Sequence, residues 1–382
     1  MHTARLSALV AAMLTALLVG TTGCSFTAQD RERSAGPFTP QFNGGPAPAT
    51  TTPPPPTPRD KGPCPDPDPT VIATCLASTA AVYPGASAQD AFVAERTTGR
   101  VLSTLPGTWK MLTLATFNVD AAGDGGLMDF AFSPTYTQDH LIYAYITTPS
   151  DNRIVRIAPG DVAKPILTGI PKGAVGNMGS MMFIGNQLVL ATGNAGNPGA
   201  ANDPTSLAGK LLVLGSINVG SPAPPKILMS GLGKAPAMCP DANSQEFYIS
   251  DQATGGDRVQ QVPLHADTNA GTVDVTGPSK TLWTWPNQPG IAGCAAAGGT
   301  ILVSEVKTQR IEALIPPTDK NPTMQAPKTV LEKRFGAIGR GSASSSGFVF
   351  ATVNKQYGTP AKTDDRVFIL PPSAGGPVEQ RD

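Results

Sequence analysis

Phe247-Tyr248-Ile249-Ser250-Asp251, a turn-forming Ala253-Thr254-Gly255-Gly256, then Asp257-Arg258-Val259-Gln260-Gln261-Val262 is the stretch from which the fold can be read. Aromatic and β-branched residues lead the first run, valines recur in the second and glycine supplies the reversal, so the pair reads as a hairpin. The construction recurs on both sides. Upstream stand Ala91-Phe92-Val93-Ala94-Glu95 with Arg100-Val101-Leu102, Leu141 to Ile146 with Arg153 to Ile157, and Leu188 to Gly193 with Gly209 to Leu214. Downstream are Ile301 to Glu305 with Gln309 to Leu314, and Phe348 to Val353 with Asp365 to Leu370. Successive units start about 50 residues apart, the period of a propeller blade. One such sheet cannot bury both of its faces, so the units stack round an axis and leave only short edges. Six units predict an all-β, six-bladed β-propeller over residues 70–372, with each hairpin as the two inner strands of its blade. A sandwich would space its strands every ~8–12 residues without the longer period.

Residues 24–69 have a different composition. Pro46, Pro48, Thr50-Thr51-Thr52, Pro53-Pro54-Pro55-Pro56 and Pro58 leave few large apolar groups to bury. At ~3.1 Å per residue of polyproline II, the segment reaches on the order of 100 Å and reads as a stalk. Ahead of it, Arg5 precedes an apolar run from Leu6 to Val19, interrupted by Ser7 and Thr15 and ending at Gly23-Cys24. The run has the length of a signal-peptide core, not of a membrane span. Residues 1–23 therefore read as a lipoprotein signal peptide, with Cys24 lipidated and the chain held on the extracytoplasmic face of the cell membrane. Thr21 stands where such signals usually carry leucine, and the rival reading is an ordinary secretory signal. Residues 373–382 form a polar tail.

The chain has five cysteines; with Cys24 assigned to lipid, four remain, an even number suited to an oxidising compartment. Cys64 and Cys75 close a short loop, and Cys239 and Cys294 form the second pair. Formal net charge is zero with no strongly basic stretch, so nucleic acid is not an expected partner. Asp120, Asp124 and Asp129 lack the spacing of a calcium-binding loop and read as a polar turn, so no metal site is assigned. Gly193-Asn194-Ala195-Gly196-Asn197 reads as a hairpin turn, and Trp283 and Trp285 as core. His140 and His265, the histidines beyond the signal, read as solvated surface residues.

Gly123-Asp124-Gly125-Gly126-Leu127-Met128-Asp129 with Phe132-Ser133-Pro134 resembles a segment of the glucose/sorbosone dehydrogenases, six-bladed quinoproteins that oxidise sugars with pyrroloquinoline quinone and calcium. Asn202-Asp203-Pro204 with Ser206-Leu207-Ala208-Gly209-Lys210-Leu211-Leu212, and the closing Asp364-Asp365-Arg366-Val367, are similar to further family segments. The likeness spans roughly 85–372. The signal, the stalk, the Leu282-Trp283-Thr284-Trp285-Pro286 run and the cysteine pattern also resemble those of mycobacterial envelope lipoproteins.

The resemblance implies a general-base histidine where this chain has Gly176, in Gly176-Asn177-Met178-Gly179. It implies cofactor-clamping cations where this chain has Gly233-Lys234 and Ala337-Ile338-Gly339. Glycine offers no proton acceptor, and a tricarboxylate cofactor wants guanidinium forks. No catalytic residue is assigned. The candidate pocket residues are Asp124, Asn177, Lys234 and Arg340, although Lys234 and Arg340 each read as a solvated turn residue. The leading expectation is a non-quinoprotein binding platform for a carbohydrate or an envelope protein, without a resident cofactor. The alternative is a sugar (aldose) dehydrogenase with a rebuilt site for pyrroloquinoline quinone and calcium; a weaker third reading is a calcium-dependent lactonase.

Overall fold

In the computed structural model, the described residues are 64–370 apart from 88, 222, 268, 269 and 346. The signal segment, Cys24, the linker to residue 63 and the tail from 371 onward lie outside them. Six antiparallel four-stranded sheets succeed one another along the chain. Blade 1 comprises Thr79–Pro84, Ala91–Glu95, Arg100–Thr104 and Met111–Thr116; blade 2 comprises Leu127–Phe132, Ile142–Thr147, Asn152–Ile157 and Lys164–Ile170. Blade 3 follows with Gly179–Ile184, Gln187–Thr192, Lys210–Val213 and Lys226–Ser230. Blade 4 has Ala237–Pro240, Phe247–Ala253, Gly256–Gln261 and Lys280–Trp285, with a small hairpin (Leu264–Asp267, Thr272–Val275) inserted before its last strand. Blade 5 is Ile291–Ala297, Thr300–Glu305, Arg310–Leu314 and Lys328–Glu332. Blade 6 takes Ile338–Ser344, Gly347–Thr352 and Val367–Leu370 from the end of the chain and Val71–Ala73 from its beginning, which closes the ring.

The six hairpins of the sequence occupy the second and third positions of their blades, the two inner strands of each four-stranded sheet, as expected. Middle strands are buried on both faces between neighbouring blades, so they carry the large β-branched and aromatic residues. One polar pair recurs at the end of the second strand and the start of the third. Glu95 meets Arg100 at 2.6 Å, Asp251 meets Arg258 at 2.8 Å and Glu305 meets Arg310 at 2.7 Å. In blade 2 the Thr147 hydroxyl donates to Asn152 Oδ1 (2.8 Å). The Thr192 and Thr352 hydroxyls accept from the backbone N–H of Lys210 (3.0 Å) and of Arg366 (2.8 Å). The three carboxylates are buried, and each arginine reaches in from a partly exposed position to balance one of them.

Blade 3 departs from the tight turn expected at Gly193-Asn194-Ala195-Gly196-Asn197. The segment opens a longer connection over 193–209 containing a short helix, Pro198–Asn202, whose first N–H groups are capped by the Asn197 side chain. Lys210, fully buried, secures this connection by donating to the carbonyls of Ala200, Ala201 and Ala208. Trp285 is core, its indole N–H donating to Glu312 Oε2 (2.9 Å), and Trp283 packs beside it. Cys64 pairs with Cys75 and Cys239 with Cys294. The second bridge joins the innermost strands of blades 4 and 5.

Asp365 lies at the seam where the ring closes, its backbone exchanging hydrogen bonds with Leu76. Burial, with the adjacent Asp364 carboxylate, raises its pKa from 3.8 to about 6 against the opposing N–H of Lys355. Between these values the folded state holds a proton that the unfolded chain has released. The associated stability is full below about pH 4 and lost as pH rises through 6. On moving from pH 4 to pH 7, wild type should lose about 2 kcal/mol relative to Asp365→Asn. Urea unfolding of both proteins across that range measures it, and a constant difference between them would refute it.

Candidate functional site at the propeller axis

The innermost strands converge on the axis, where space favours small side chains. Their sequences include Gly179-Ser180, Ala292-Gly293 and Gly341-Ser342-Ala343. A Cβ added at Gly341 would lie 2.2 Å from the Phe350 ring. Two charged residues interrupt this pattern, and each sits where an extra residue breaks the ladder register. Pairing passes from Leu127 to Asp129 opposite Ile146 and Tyr145, and from Ile338 to Gly341 opposite Thr352 and Phe350. Such bulges re-aim side chains, and here Asp129 and Arg340 meet, 3.1 Å apart from Oδ2 to Nη1.

Asp129 is 0 % exposed and Arg340 6 %. The carboxylate also accepts from the Tyr83 hydroxyl (2.7 Å) and from the N–H groups of Phe130 and Met181 (2.8 Å each). Arg340 Nη2 donates to the carbonyls of Gly179 and Pro236. Burial raises the Asp129 pKa against the pull of Arg340. Burial and then the Asp129 charge push the Tyr83 phenol well above its usual value. The network ties together blades 1, 2, 3 and 6 and the segment entering blade 4.

Arg340 lines a cavity on either side. The upper one, at the end where the innermost strands begin, is walled by Met178, Ala235, Val306 and Val353, with Gln252, Lys307, Gln356 and Tyr357 among its polar groups. The lower one lies at the opposite end of the same strands.

Of the four candidate pocket residues, Arg340 alone lines these cavities. It is a buried axial residue, and the reading as a solvated turn residue is corrected: its charge is carried inward by the bulge and balanced by Asp129. Asp124 accepts from the N–H of Gly176 (2.6 Å), the N–H of Asn177 (3.2 Å) and Asn177 Nδ2 (2.6 Å). Asn177 is buried. Its amide also donates to the Gly173 carbonyl and accepts from Gly173 N–H and Asn152 Nδ2. These two residues shape the loop that leads to Met178 and hold no free group toward the cavity. Lys234 is exposed, immediately before Ala235. His140 and His265 are exposed, away from the axis. Asp120, Asp124 and Asp129 bond to Lys172, Asn177 and Arg340 respectively and do not converge. Asp129 stands on a strand, not in the expected turn, and its role could not be found from local sequence.

Residues 81–238 match the family model described as Glucose / Sorbosone dehydrogenase. Similar solved structures include the pyrroloquinoline-quinone-bound aldose sugar dehydrogenase of Streptomyces coelicolor, 24% identical, with a TM-score of 0.65 over 79% of this chain and 96% of that one. An oxidoreductase of Thermus thermophilus, described as a glucose dehydrogenase, is 22% identical (TM-score 0.65), covering 78% and 98% of the two chains. The apo soluble aldose sugar dehydrogenase of Escherichia coli is 15% identical (TM-score 0.58; 79% and 98%). A comparison with curated proteins finds no significant match. The fold is that of a glucose/sorbosone dehydrogenase-like β-propeller.

The residues here do not fit the quinone implied by that likeness. Gly176 has φ +78°, and a Cβ there would lie 2.6 Å from the Gly196 nitrogen and 2.8 Å from Asn194 Oδ1. A Cβ on Gly233 would meet the Gln252 carbonyl oxygen at 2.1 Å, and one on Gly339 would meet Val353 Cγ1 at 2.6 Å. Ala337 is fully buried. Neighbouring backbone closes over the space at Gly176 and Gly233, and the Val353 side chain closes over it at Gly339, where a base or guanidinium would project. The rim cations are lysines, and Arg340 is already paired.

Proposed function

We propose that this protein is a ligand-binding propeller without quinone chemistry, displayed by a lipid on Cys24 at the extracytoplasmic face of the cell membrane. The observation that carries the reading is the packing round Gly176, Gly233 and Gly339, which leaves neither a base nor a carboxylate clamp. The upper mouth combines the amides of Gln252 and Gln356, the Tyr357 phenol and two cations, Lys307 and the already paired Arg340, with apolar walls. Neutral donors and acceptors beside an aromatic ring suit a carbohydrate of the envelope. The purified domain with pyrroloquinoline quinone and calcium should give no thermal shift and no dye reduction with aldoses. Ligand at 100 times its Kd would add about 2.7 kcal/mol, well within detection. A quinone-dependent shift with glucose-dependent turnover would replace this reading.

The second reading, a sugar dehydrogenase, is favoured by the family match over residues 81–238 and by the likeness to a quinone-bound enzyme. On the anchoring side, Cys24→Ala should move the protein from the membrane fraction to the soluble one or arrest its maturation. Unchanged fractionation would sink the lipid anchor.

A further inference from the structure

Blades 1, 4 and 5 each carry an acid–arginine pair where the second strand ends and the third begins. Two residues past the arginine, on the same face of the third strand, blade 1 has Leu102 and blade 4 has Gln260. Blade 5 has a second acid there, Glu312. Both acids of blade 5 are buried, Glu305 at 0 % exposure and Glu312 at 7 %. Arg310 Nε lies 2.7 Å from Glu305 Oε2 and 3.4 Å from Glu312 Oε1, so one guanidinium faces two carboxyl groups. The Thr308 hydroxyl donates to Glu305 Oε2. The Trp285 indole, on the outermost strand of blade 4, donates to Glu312 Oε2 (2.9 Å) and so ties the two blades together.

The surrounding charges do not balance the extra acid. Glu332, opposite Arg310 on the outermost strand of blade 5, is itself acidic and lies 3.8 Å from the exposed Lys333. Lys307, in the turn between Glu305 and Arg310, donates to the Gln288 carbonyl. Asp257, opposite Trp285 in blade 4, accepts from the N–H groups of Gly290 and Ile291. No second cation pairs with Glu305 or Glu312 among the described residues. The two carboxyl groups are close enough to hydrogen-bond, and two ionised carboxylates can only accept, so their contact calls for a proton. Glu305 Oε1, buried, has no hydrogen-bond partner among the described residues. Burial, and then the charge of Glu305, raises the Glu312 pKa above the ordinary glutamate value against the pull of the Trp285 N–H.

We propose that Glu312 holds a proton that it donates to Glu305, which makes the contact between blades 4 and 5 a pH-sensitive switch independent of the function proposed for the upper mouth. With the proton in place one anion faces one cation, and Trp285 stays bonded to Glu312. Once it is lost, the second buried charge has no cation of its own, so Glu312 turns toward solvent and releases the indole. The stability that the proton contributes is full below the ordinary glutamate pKa and is lost as pH rises through the raised one. Indole NMR signals, assigned with single Trp→Phe variants, should show Trp285 titrating with a midpoint above the ordinary glutamate range while Trp109 stays fixed. Glu312→Gln keeps the shape and hydrogen bonds of the protonated acid and matches what blade 4 has at Gln260. It should abolish the Trp285 titration, and its stability relative to wild type should grow as pH rises. The carboxyl carbon of Glu312 in the wild-type protein gives a reading that needs no variant and should titrate above the ordinary range. An invariant Trp285 signal, the same Trp285 titration in Glu312→Gln, a stability difference constant with pH, or a Glu312 midpoint within or below the ordinary range would overturn the proposal.

Discussion

Arg340→Met should lower the unfolding free energy at pH 7 by about 3–5 kcal/mol, the loss expected when one partner of a buried ion pair is removed. The deletion strands the Asp129 carboxylate, which is 0 % exposed and has no other ion-pair partner among the described residues. It also leaves the carbonyls of Gly179 and Pro236 without the Arg340 donor. The double variant Asp129→Asn/Arg340→Met removes the orphaned charge and should recover a large part of the loss, because charge without compensation is the main term. A further signature follows from the sign of the titration. Burial raises the Asp129 pKa even in the intact pair, and without Arg340 the opposing pull disappears. The deficit of Arg340→Met should therefore shrink as pH falls and Asp129 takes up a proton. Urea unfolding of the three proteins at several pH values decides the matter. A single-variant loss below about 1 kcal/mol would mean that the pair is solvated, contrary to its burial.

Loss of the Cys239–Cys294 bridge should cost about 4 kcal/mol, and loss of Cys64–Cys75 about 3. These figures come from chain entropy with closed loops of 55 and 11 residues. The larger effect also has a structural place. Cys239 and Cys294 are buried and lie on adjacent innermost strands, so the bridge joins blades 4 and 5 near the axis. The double Cys→Ala variants, unfolded in denaturant without reductant, test the ordering. Equal losses, or a larger loss for Cys64–Cys75, would show that anchoring the ring-closing strand matters more than loop length.

The sequence made the middle strands visible because their composition follows from burial on both faces. Phe247-Tyr248-Ile249 and Ile301-Leu302-Val303 could hardly be read otherwise. The innermost strands were obscured by the same geometry that defines them. Crowding at the axis selects segments such as Ala237-Met238-Cys239-Pro240 and Ile291-Ala292-Gly293-Cys294, which carry little strand signal. The axial pair was hidden for another reason. Arg340 follows Gly339 and precedes Gly341, the surroundings of a turn, and its partner lies 211 residues away. The glycines at 176, 233 and 339 were legible as absent side chains. That neighbouring atoms had closed over each position was not, since only the fold brings the backbone of Gly196 and Gln252 and the side chain of Val353 against them.

The bridge between Cys64 and Cys75 spans the strand that closes the ring, Val71–Ala73, and this has a mechanical consequence. A pull arriving at Cys64 from the preceding chain passes through the sulfur atoms to Cys75 and then into the seam, where the Cys75 N–H donates to the Thr363 carbonyl. The three-residue strand lies inside the bypassed loop and bears no tension. In the oxidised protein the force is delivered past the ladder between Val71–Ala73 and Val367–Leu370. In the reduced protein the same pull would fall on that ladder first, and the ring would open where its two ends meet.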